Sequence, residues 1–200
     1  MKPRLLIATN NQGKIEELRA LLADLPVELV LPVDLGLNLE VEEDGRTYAD
    51  NAAKKAIAFA KASGMVSLAD DSGLEVEALG GAPGLYSARY SPKPGATDAD
   101  RRAYLLENLR DKPRPWTARF HATVAIGKLD GSHRLAEGIC PGEIISEERG
   151  HGGFGYDPIF LLSEKGKTMA ELSSEEKNRL SHRARAVENA RKILVEVFGL

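Results

Sequence analysis

The most informative feature of this sequence lies near the N-terminus, where a short apolar strand runs directly into a helix. This segment constrains the fold and the kind of ligand that the chain can bind. Residues 5–8 are aliphatic, and apolar residues recur at roughly helical spacing from Ile15 to Leu25. The turn between them, residues 9–14, combines the first N–H groups of the helix with amide side chains and Lys14. Because a helix N-terminus has unsatisfied N–H groups and a partial positive charge, this turn suits a phosphate. An ordinary capped helix is the alternative, and a Walker A loop is excluded because its glycine pattern is missing.

The remaining sequence predicts a mixed α/β fold. Capping boxes and apolar periodicity predict helices over residues 12–24, 47–63, 97–110 and 173–180, with a last helix that starts at Ser181. Strands are predicted over residues 4–8, 27–31, 65–69, 116–129, 132–140 and 159–162. Because long antiparallel strands interrupt any βαβ alternation, we expect an extended mixed β-sheet flanked by helices rather than a doubly wound parallel sheet. No linker or repeat divides residues 1–200, so we expect one domain.

Composition excludes several classes of protein. The 200 residues are 42% hydrophobic and 28% charged, which is enough for one well-filled core. The net charge of −3 argues against nucleic acid or an anionic membrane surface as a partner. A single cysteine, Cys140, excludes an internal disulfide and a Cys-rich zinc site. Because no apolar stretch has the length of a signal core or a membrane span, we expect a cytoplasmic protein.

Two acidic segments are candidates for binding a metal. Asp70-Asp71 is predicted at the end of a buried strand, before a tight turn at Ser72-Gly73, and this is a common place for Mg²⁺ ligands. Successive strand residues face opposite sides, so one aspartate is expected to enter the site while the other braces the turn. Glu42-Glu43-Asp44 can supply a second carboxylate. The alternatives are a turn held by its own side chains and a solvated acidic loop.

Two further segments are candidates for binding a ligand. Residues 150–158 combine four glycines with Phe154, Tyr156 and Asp157, which allows close backbone approach and aromatic stacking. A flexible loop with two core aromatics is the alternative. Lys177 and Ser181-His182-Arg183 surround the break between the last two helices, where donors can read the oxygens of a base or a phosphate. A basic, solvated helix face is the alternative there.

Four motifs occur in order along nearly the whole chain. They are Thr9-x-Asn11-x-x-Lys14; Ala69-Asp70-Asp71-Ser72-Gly73-Leu74 with Gly80-Gly81-Ala82-Pro83-Gly84-x-Tyr86-Ser87-Ala88-Arg89-Tyr90; Gly153-Phe154-Gly155-Tyr156-Asp157-Pro158; and Ser181-His182-Arg183. With this set the chain resembles the inosine triphosphate pyrophosphatase family, whose members hydrolyse ITP, dITP and XTP to the monophosphate and pyrophosphate. The resemblance implies a requirement for Mg²⁺, a homodimer, and an elongated fold in which a long mixed sheet divides two lobes around a central active-site cleft.

The resemblance also implies a role for each motif. Asp71 is expected to be the general base and a metal ligand, with Glu43 as the second metal carboxylate and Glu42 as the alternative to it. The triphosphate is expected on Thr9, Asn10, Asn11, Gln12, Gly13 and Lys14. The rest of the nucleotide is expected on Ser72, Phe154, Gly155, Tyr156, Asp157, Lys177, His182 and Arg183.

Three other functions stay open at this point. A related pyrophosphatase acting on modified pyrimidine or methylated nucleotides would share this architecture. A non-catalytic nucleotide sensor would bind tightly without releasing pyrophosphate. A nucleic-acid-binding module is disfavoured by the acidic net charge.

Overall fold

The computed structural model describes residues 2–200, which form five α-helices and seven β-strands. The strands are β1 (Arg4–Ile7), β2 (Glu28–Val30), β3 (Val66–Val76), β4 (Trp116–Gly127), β5 (His133–Ile144), β6 (Phe160–Leu162) and β7 (Lys167–Thr168). The helices are α1 (Gln12–Leu21), α2 (Tyr48–Ser63), α3 (Asp98–Leu109), α4 (Ser174–Leu180) and α5 (His182–Phe198).

All seven strands belong to one open sheet in the order β2-β1-β3-β4-β5-β6-β7. Strand β1 pairs in parallel with both β2 and β3, whereas β6 pairs antiparallel with β5 and β7. The predicted mixed sheet flanked by helices is therefore confirmed.

Local capping chemistry explains where the helices start and stop. Thr47, Thr97 and Ser173 each accept a hydrogen bond from the backbone N–H three residues later, and the acidic residue at that position caps in return. Gly64 ends α2 with a φ of 71°, a conformation that glycine adopts without strain. Helix α1 stops at Leu21, earlier than predicted.

The prediction that a strand ends before Asp70 is wrong. Strand β3 continues through Asp70-Asp71-Ser72-Gly73 to Val76, so the two aspartates lie inside a strand. Leu74 and Val76 are fully buried in an apolar cluster, and burying them keeps the chain extended where a turn was expected. Strand β5 likewise continues past Cys140 to Ile144.

The chain divides into two compact units, each with its own core. The first comprises residues 2–71, 122–138 and 183–200, and the second comprises residues 72–121 and 139–182. Neither unit is continuous in sequence, and the single domain and the central cleft stay predictions. No helix within residues 2–200 is both long and apolar enough to cross a membrane.

The core of the first unit fixes which way the strand residues point. On one face, Leu5 and Leu68 pack with residues of α1 and α5, and on the other, Leu6 and Ala69 pack with α2. Because side chains alternate along a strand, the residues that follow Leu68 and Ala69 continue these two faces. Asp70 must therefore point toward α1 and α5, and Asp71 toward α2.

Candidate active site

Asp70 lies in a buried network of charges in the first unit. Its Oδ1 lies 2.5 Å from Lys14 Nζ of α1, and its Oδ2 lies 3.0 Å from Arg183 Nε of α5. Arg183 also forms an ion pair with Glu17. Burial alone would raise the pKa of Asp70, but the charges of Arg183 and Lys14 outweigh burial and hold that pKa well below its usual range. Asp70 therefore holds two cations in place and has little capacity left for chemistry.

Asp71 faces α2 and has a different environment. Its Oδ2 accepts a hydrogen bond from Asn51 Nδ2 at 3.1 Å, and its Oδ1 lies 3.5 Å from Lys55 Nζ. Burial raises the pKa of Asp71, although the charges of Lys55 and Lys14 oppose this rise. A carboxylate with a raised pKa is better suited to accept a proton than one locked in tight ion pairs.

Lys55 links the two acidic segments. Its Nζ donates to Glu43 Oε1 at 2.7 Å and to the backbone oxygen of Asp70 at 2.8 Å. Burial alone would lower the pKa of Lys55, but Asp71 and Glu43 outweigh burial and raise it. Glu43 is half-buried in this contact, whereas Glu42 is exposed. Lys55 was not among the residues predicted from the sequence, and its signal was the four-residue spacing from Asn51, which puts both side chains on one face of α2.

Lys14 reaches the same point from the other face of β3. Its Nζ lies 3.4 Å from the backbone oxygen of Asp70, the atom that Lys55 also contacts. Burial lowers the pKa of Lys14, and the charges of Arg183 and Lys55 lower it further against the pull of Asp70. Two ammonium groups therefore meet at one carbonyl oxygen, and one of them, that of Lys55, also contacts the carboxylates of Asp71 and Glu43.

The oxygens around Lys55 fit a hard divalent cation. They are the carboxylates of Glu43 and Asp71 and the backbone carbonyl of Asp70, and they already stabilise a positive charge. Within residues 2–200, no three acidic, His or Cys side chains come together as a metal-binding group of their own. Mg²⁺ typically takes one or two carboxylates and completes its shell with water and substrate phosphates, so this donor set suits it.

The turn before α1 is organised by its own side chains. Asn11 Oδ1 accepts from the backbone N–H of Lys14 at 3.0 Å, and Thr9 Oγ1 accepts from the backbone N–H of Asn11 at 3.2 Å. Asn10, Asn11 and Gln12 are exposed. Because the first N–H groups of a helix lack intrahelical acceptors, those of Gln12 and Gly13 remain for an anion.

The glycine-rich segment lies in the second unit and is built around Asp157. The Oδ2 atom of Asp157 accepts from the backbone N–H of Phe154 at 2.9 Å and from Lys177 Nζ at 2.6 Å. Lys177 Nζ also lies 5.0 Å from the centroid of the Phe154 ring. A Cβ on Gly153 would lie 2.0 Å from Asp157 Oδ2, so only glycine allows this arrangement. Phe154 is half-buried, with its backbone fixed by this turn.

The remaining predicted residues fall into different surroundings. The Tyr156 hydroxyl donates to the backbone oxygen of Ser87 at 2.9 Å within the core, and burial raises the pKa of this hydroxyl. The His182 ring is buried and stacks on Phe120, with centroids 4.7 Å apart. Ser72 is half-buried within β3. Of the two aromatic residues in the loop, Phe154 is therefore the one with an accessible ring.

Comparison with known proteins gives one consistent result. The model of the Ham1 family matches residues 5–193. The chain is 47% identical to a dITP/XTP pyrophosphatase of Desulforamulus reducens over 196 residues, which covers 98% of this chain and 97% of the relative. It is 49% identical to a dITP/XTP pyrophosphatase of Geobacter sulfurreducens, covering 92% of both chains. A solved HAM1 protein from Coxiella burnetii is 39% identical with a TM-score of 0.87, covering 97% of this chain and 99% of that chain.

Substitution of the two adjacent aspartates is expected to change the free energy of unfolding by very different amounts. Asp70→Asn leaves Lys14 and Arg183 buried beside a neutral amide, and breaking a buried ion pair from one side costs about 3–5 kcal/mol of unfolding free energy. Asp71→Asn keeps a hydrogen bond to Asn51 and is expected to unfold close to wild type. Urea unfolding followed by circular dichroism measures both. The control is Asp24→Asn, which removes an exposed pair with Arg191 and should barely move the midpoint. An Asp70→Asn protein as stable as wild type would contradict this assignment.

Proposed function

The chain belongs to the Ham1 family, and from that premise we propose that it hydrolyses deaminated purine nucleoside triphosphates, dITP, ITP and XTP, to the monophosphate and pyrophosphate. The observation that carries the proposal is one cluster of charges: Lys14 and Lys55 both contact the backbone oxygen of Asp70, and Lys55 also contacts the carboxylates of Asp71 and Glu43. A polyphosphate requires cations, and its hydrolysis requires a base near a water molecule. This cluster supplies both.

The residues of the first unit account for the chemistry at phosphorus. Asp71 takes a proton from the water that attacks the α-phosphorus, and its raised pKa suits that role. Pyrophosphate then leaves with its charge stabilised by Lys14 and by the N–H groups at the start of α1. Lys55 adds a second ammonium group within reach of the same anion. A Mg²⁺ ion held by Asp71 and Glu43 would neutralise the triphosphate and polarise it.

Phe154 and nearby hydrogen-bond donors are the residues that we propose for the base. Phe154 stacks on the purine, and such a contact does not depend on the identity of the base. Selectivity then comes from donors that meet the 6-oxo group, for which His182, Lys177 and backbone N–H groups are the candidates. Arg183 is a further candidate; it and Lys177 both already pair with carboxylates, Arg183 with Asp70 and Glu17 and Lys177 with Asp157. An adenine amino group would face these donors with its own donor, and each unpaired buried group costs roughly 1–3 kcal/mol.

The assay that tests the proposal is release of pyrophosphate from a panel of nucleotides. We expect turnover of dITP, ITP and XTP with Mg²⁺, little turnover of ATP, dUTP or dTTP, and loss of turnover when EDTA removes the metal. Preference for dUTP or dTTP would instead assign the chain to pyrimidine nucleotides. Tight binding of dITP without pyrophosphate release would assign it to a sensor. The homodimer and the cytoplasmic location stay predictions.

Asp71→Asn is expected to remove the general base while leaving the fold intact. Loss of a positioned base lowers kcat roughly 10²- to 10⁴-fold, measured as pyrophosphate released from XTP at saturating Mg²⁺. Asp44→Asn is the matched control, because Asp44 lies next to Glu43 and pairs with Lys54 on the surface. A near-normal rate for Asp71→Asn would take the base role away from this residue.

Glu43→Gln and Glu42→Gln form a pair that decides the second metal carboxylate. Glu43 contacts Lys55 and is half-buried, whereas Glu42 is exposed. We expect Glu43→Gln to raise the Mg²⁺ concentration that gives half-maximal rate by roughly 10- to 100-fold, the usual effect of disturbing a ligand shell. Glu42→Gln should titrate like wild type. The opposite order would move the metal ligand to Glu42.

A further inference from the structure

Gly155 is held at both of its backbone polar groups by the first turns of α3. Its N–H donates to Asp98 Oδ2 at 2.8 Å, and its carbonyl oxygen accepts from Arg102 Nη1 at 2.8 Å. Gly155 has a φ of 62°, and a Cβ there would meet nothing within 4 Å. Gly155 is therefore held by hydrogen bonds to its backbone N–H and carbonyl groups and not by close packing around its Cα.

The two side chains that hold Gly155 are themselves braced. Asp98 Oδ1 accepts from Arg101 Nη2 at 2.8 Å. Arg102 donates through Nε and Nη2 to the two carboxylate oxygens of Glu148, at 2.8 and 2.9 Å. Only 12% of the Arg102 side chain is exposed. Bidentate and charge-assisted hydrogen bonds of this kind fix orientation as well as position.

The consequence falls on Phe154, the residue before Gly155. The peptide plane on its N-terminal side is fixed because the Phe154 N–H donates to Asp157. The peptide plane on its C-terminal side is fixed because the Gly155 N–H donates to Asp98. Two carboxylates, from different parts of the second unit, therefore restrict both backbone torsions that aim the Phe154 ring.

Capping of α3 does not account for Asp98. Thr97 Oγ1 accepts from the backbone N–H of Asp100, and Asp100 Oδ2 accepts from the backbone N–H of Thr97, so these two residues complete the cap. Asp98 is therefore available for Gly155. The same helix also offers Asp100 as a control of the same type in the same turn.

We propose that Asp98 and Arg102 are positioning residues for the nucleobase, holding the Gly155 backbone so that Phe154 is set for stacking before the nucleotide arrives. The proposal rests on the function proposed above, because it assigns the base to Phe154. A ring ordered in advance loses less conformational freedom on binding, and the gain appears in affinity for the nucleoside part of the ligand. Free pyrophosphate has no base to stack on Phe154, so its affinity for the protein should not change.

The test compares Asp98→Ala and Arg102→Ala with Asp100→Ala. For each of the first two, we expect KM for XTP and the Kd of xanthosine monophosphate to rise roughly two- to tenfold, the effect of having to order one more side chain on binding. The kcat should change less than twofold, and the Kd of pyrophosphate should not change. The Kd values of xanthosine monophosphate and pyrophosphate are measured by calorimetry. Asp98→Asn keeps an oxygen for the Gly155 N–H and should restore most of the affinity. Asp100→Ala should lower the melting temperature without raising KM.

Several outcomes would overturn the proposal. Folded Asp98→Ala and Arg102→Ala proteins with wild-type KM and wild-type affinity for xanthosine monophosphate would do so while leaving the proposed function intact. Equal losses of affinity for xanthosine monophosphate and pyrophosphate would show a general structural role instead. If Asp98→Ala does not fold, Arg102→Lys, which keeps the charge but loses the fork toward Glu148, provides the same comparison. A wild-type chain that neither releases pyrophosphate nor binds xanthosine monophosphate would end the proposed function and this inference together.

Discussion

The ion pairs of Asp70 with Lys14 and Arg183 join β3 to α1 and α5, and the geometry of the candidate site follows from them. Charges buried to this extent do not by themselves stabilise a fold, because the loss of hydration offsets most of their attraction. These ion pairs fix the positions of the two cations, since moving either cation away would leave a buried charge without its partner. The ammonium of Lys14 is thereby kept within 3.4 Å of the backbone oxygen that Lys55 contacts from the other side.

The alternation of a strand gives two neighbouring aspartates different chemistry. Both are buried, yet the pKa of Asp70 is lowered and that of Asp71 is raised. The difference arises because Asp70 has two cations in close contact, whereas Asp71 has one amide donor and an ammonium at 3.5 Å. The sequence predicts that one aspartate braces the turn and the other enters the site; β3 directs the two side chains to opposite faces, and the catalytic role of Asp71 stays a prediction. The brace, however, acts on helices and not on a turn.

Features encoded by near neighbours were predictable, and features encoded by distant residues were not. The capping boxes at Thr47, Thr97 and Ser173 placed three helices to within a residue or two, because each box closes over four residues. The prediction of a turn at Ser72-Gly73 was wrong because burial of Leu74 and Val76 outweighs the local turn preference. Lys55 was not predicted because its charged partners lie 12 and 16 residues away, and the four-residue spacing from Asn51 is a weak local signal.

The glycines of residues 150–155 also have roles that depend on distant residues and that the sequence alone does not reveal. A glycine tract suggests a backbone that approaches a ligand, yet a Cβ on Gly153 would collide with Asp157 and one on Gly150 with the backbone of Ala170. These two glycines leave room for other parts of the protein itself, so the loop is closely packed at these positions. Only around Gly155 does the same test meet open space, and this is the residue whose backbone is bound on both sides by α3. The loop therefore combines close packing at Gly150 and Gly153 with one open position beside Phe154, and this arrangement is compatible with the stacking role proposed for that ring, because a ring positioned in advance loses less conformational freedom on binding.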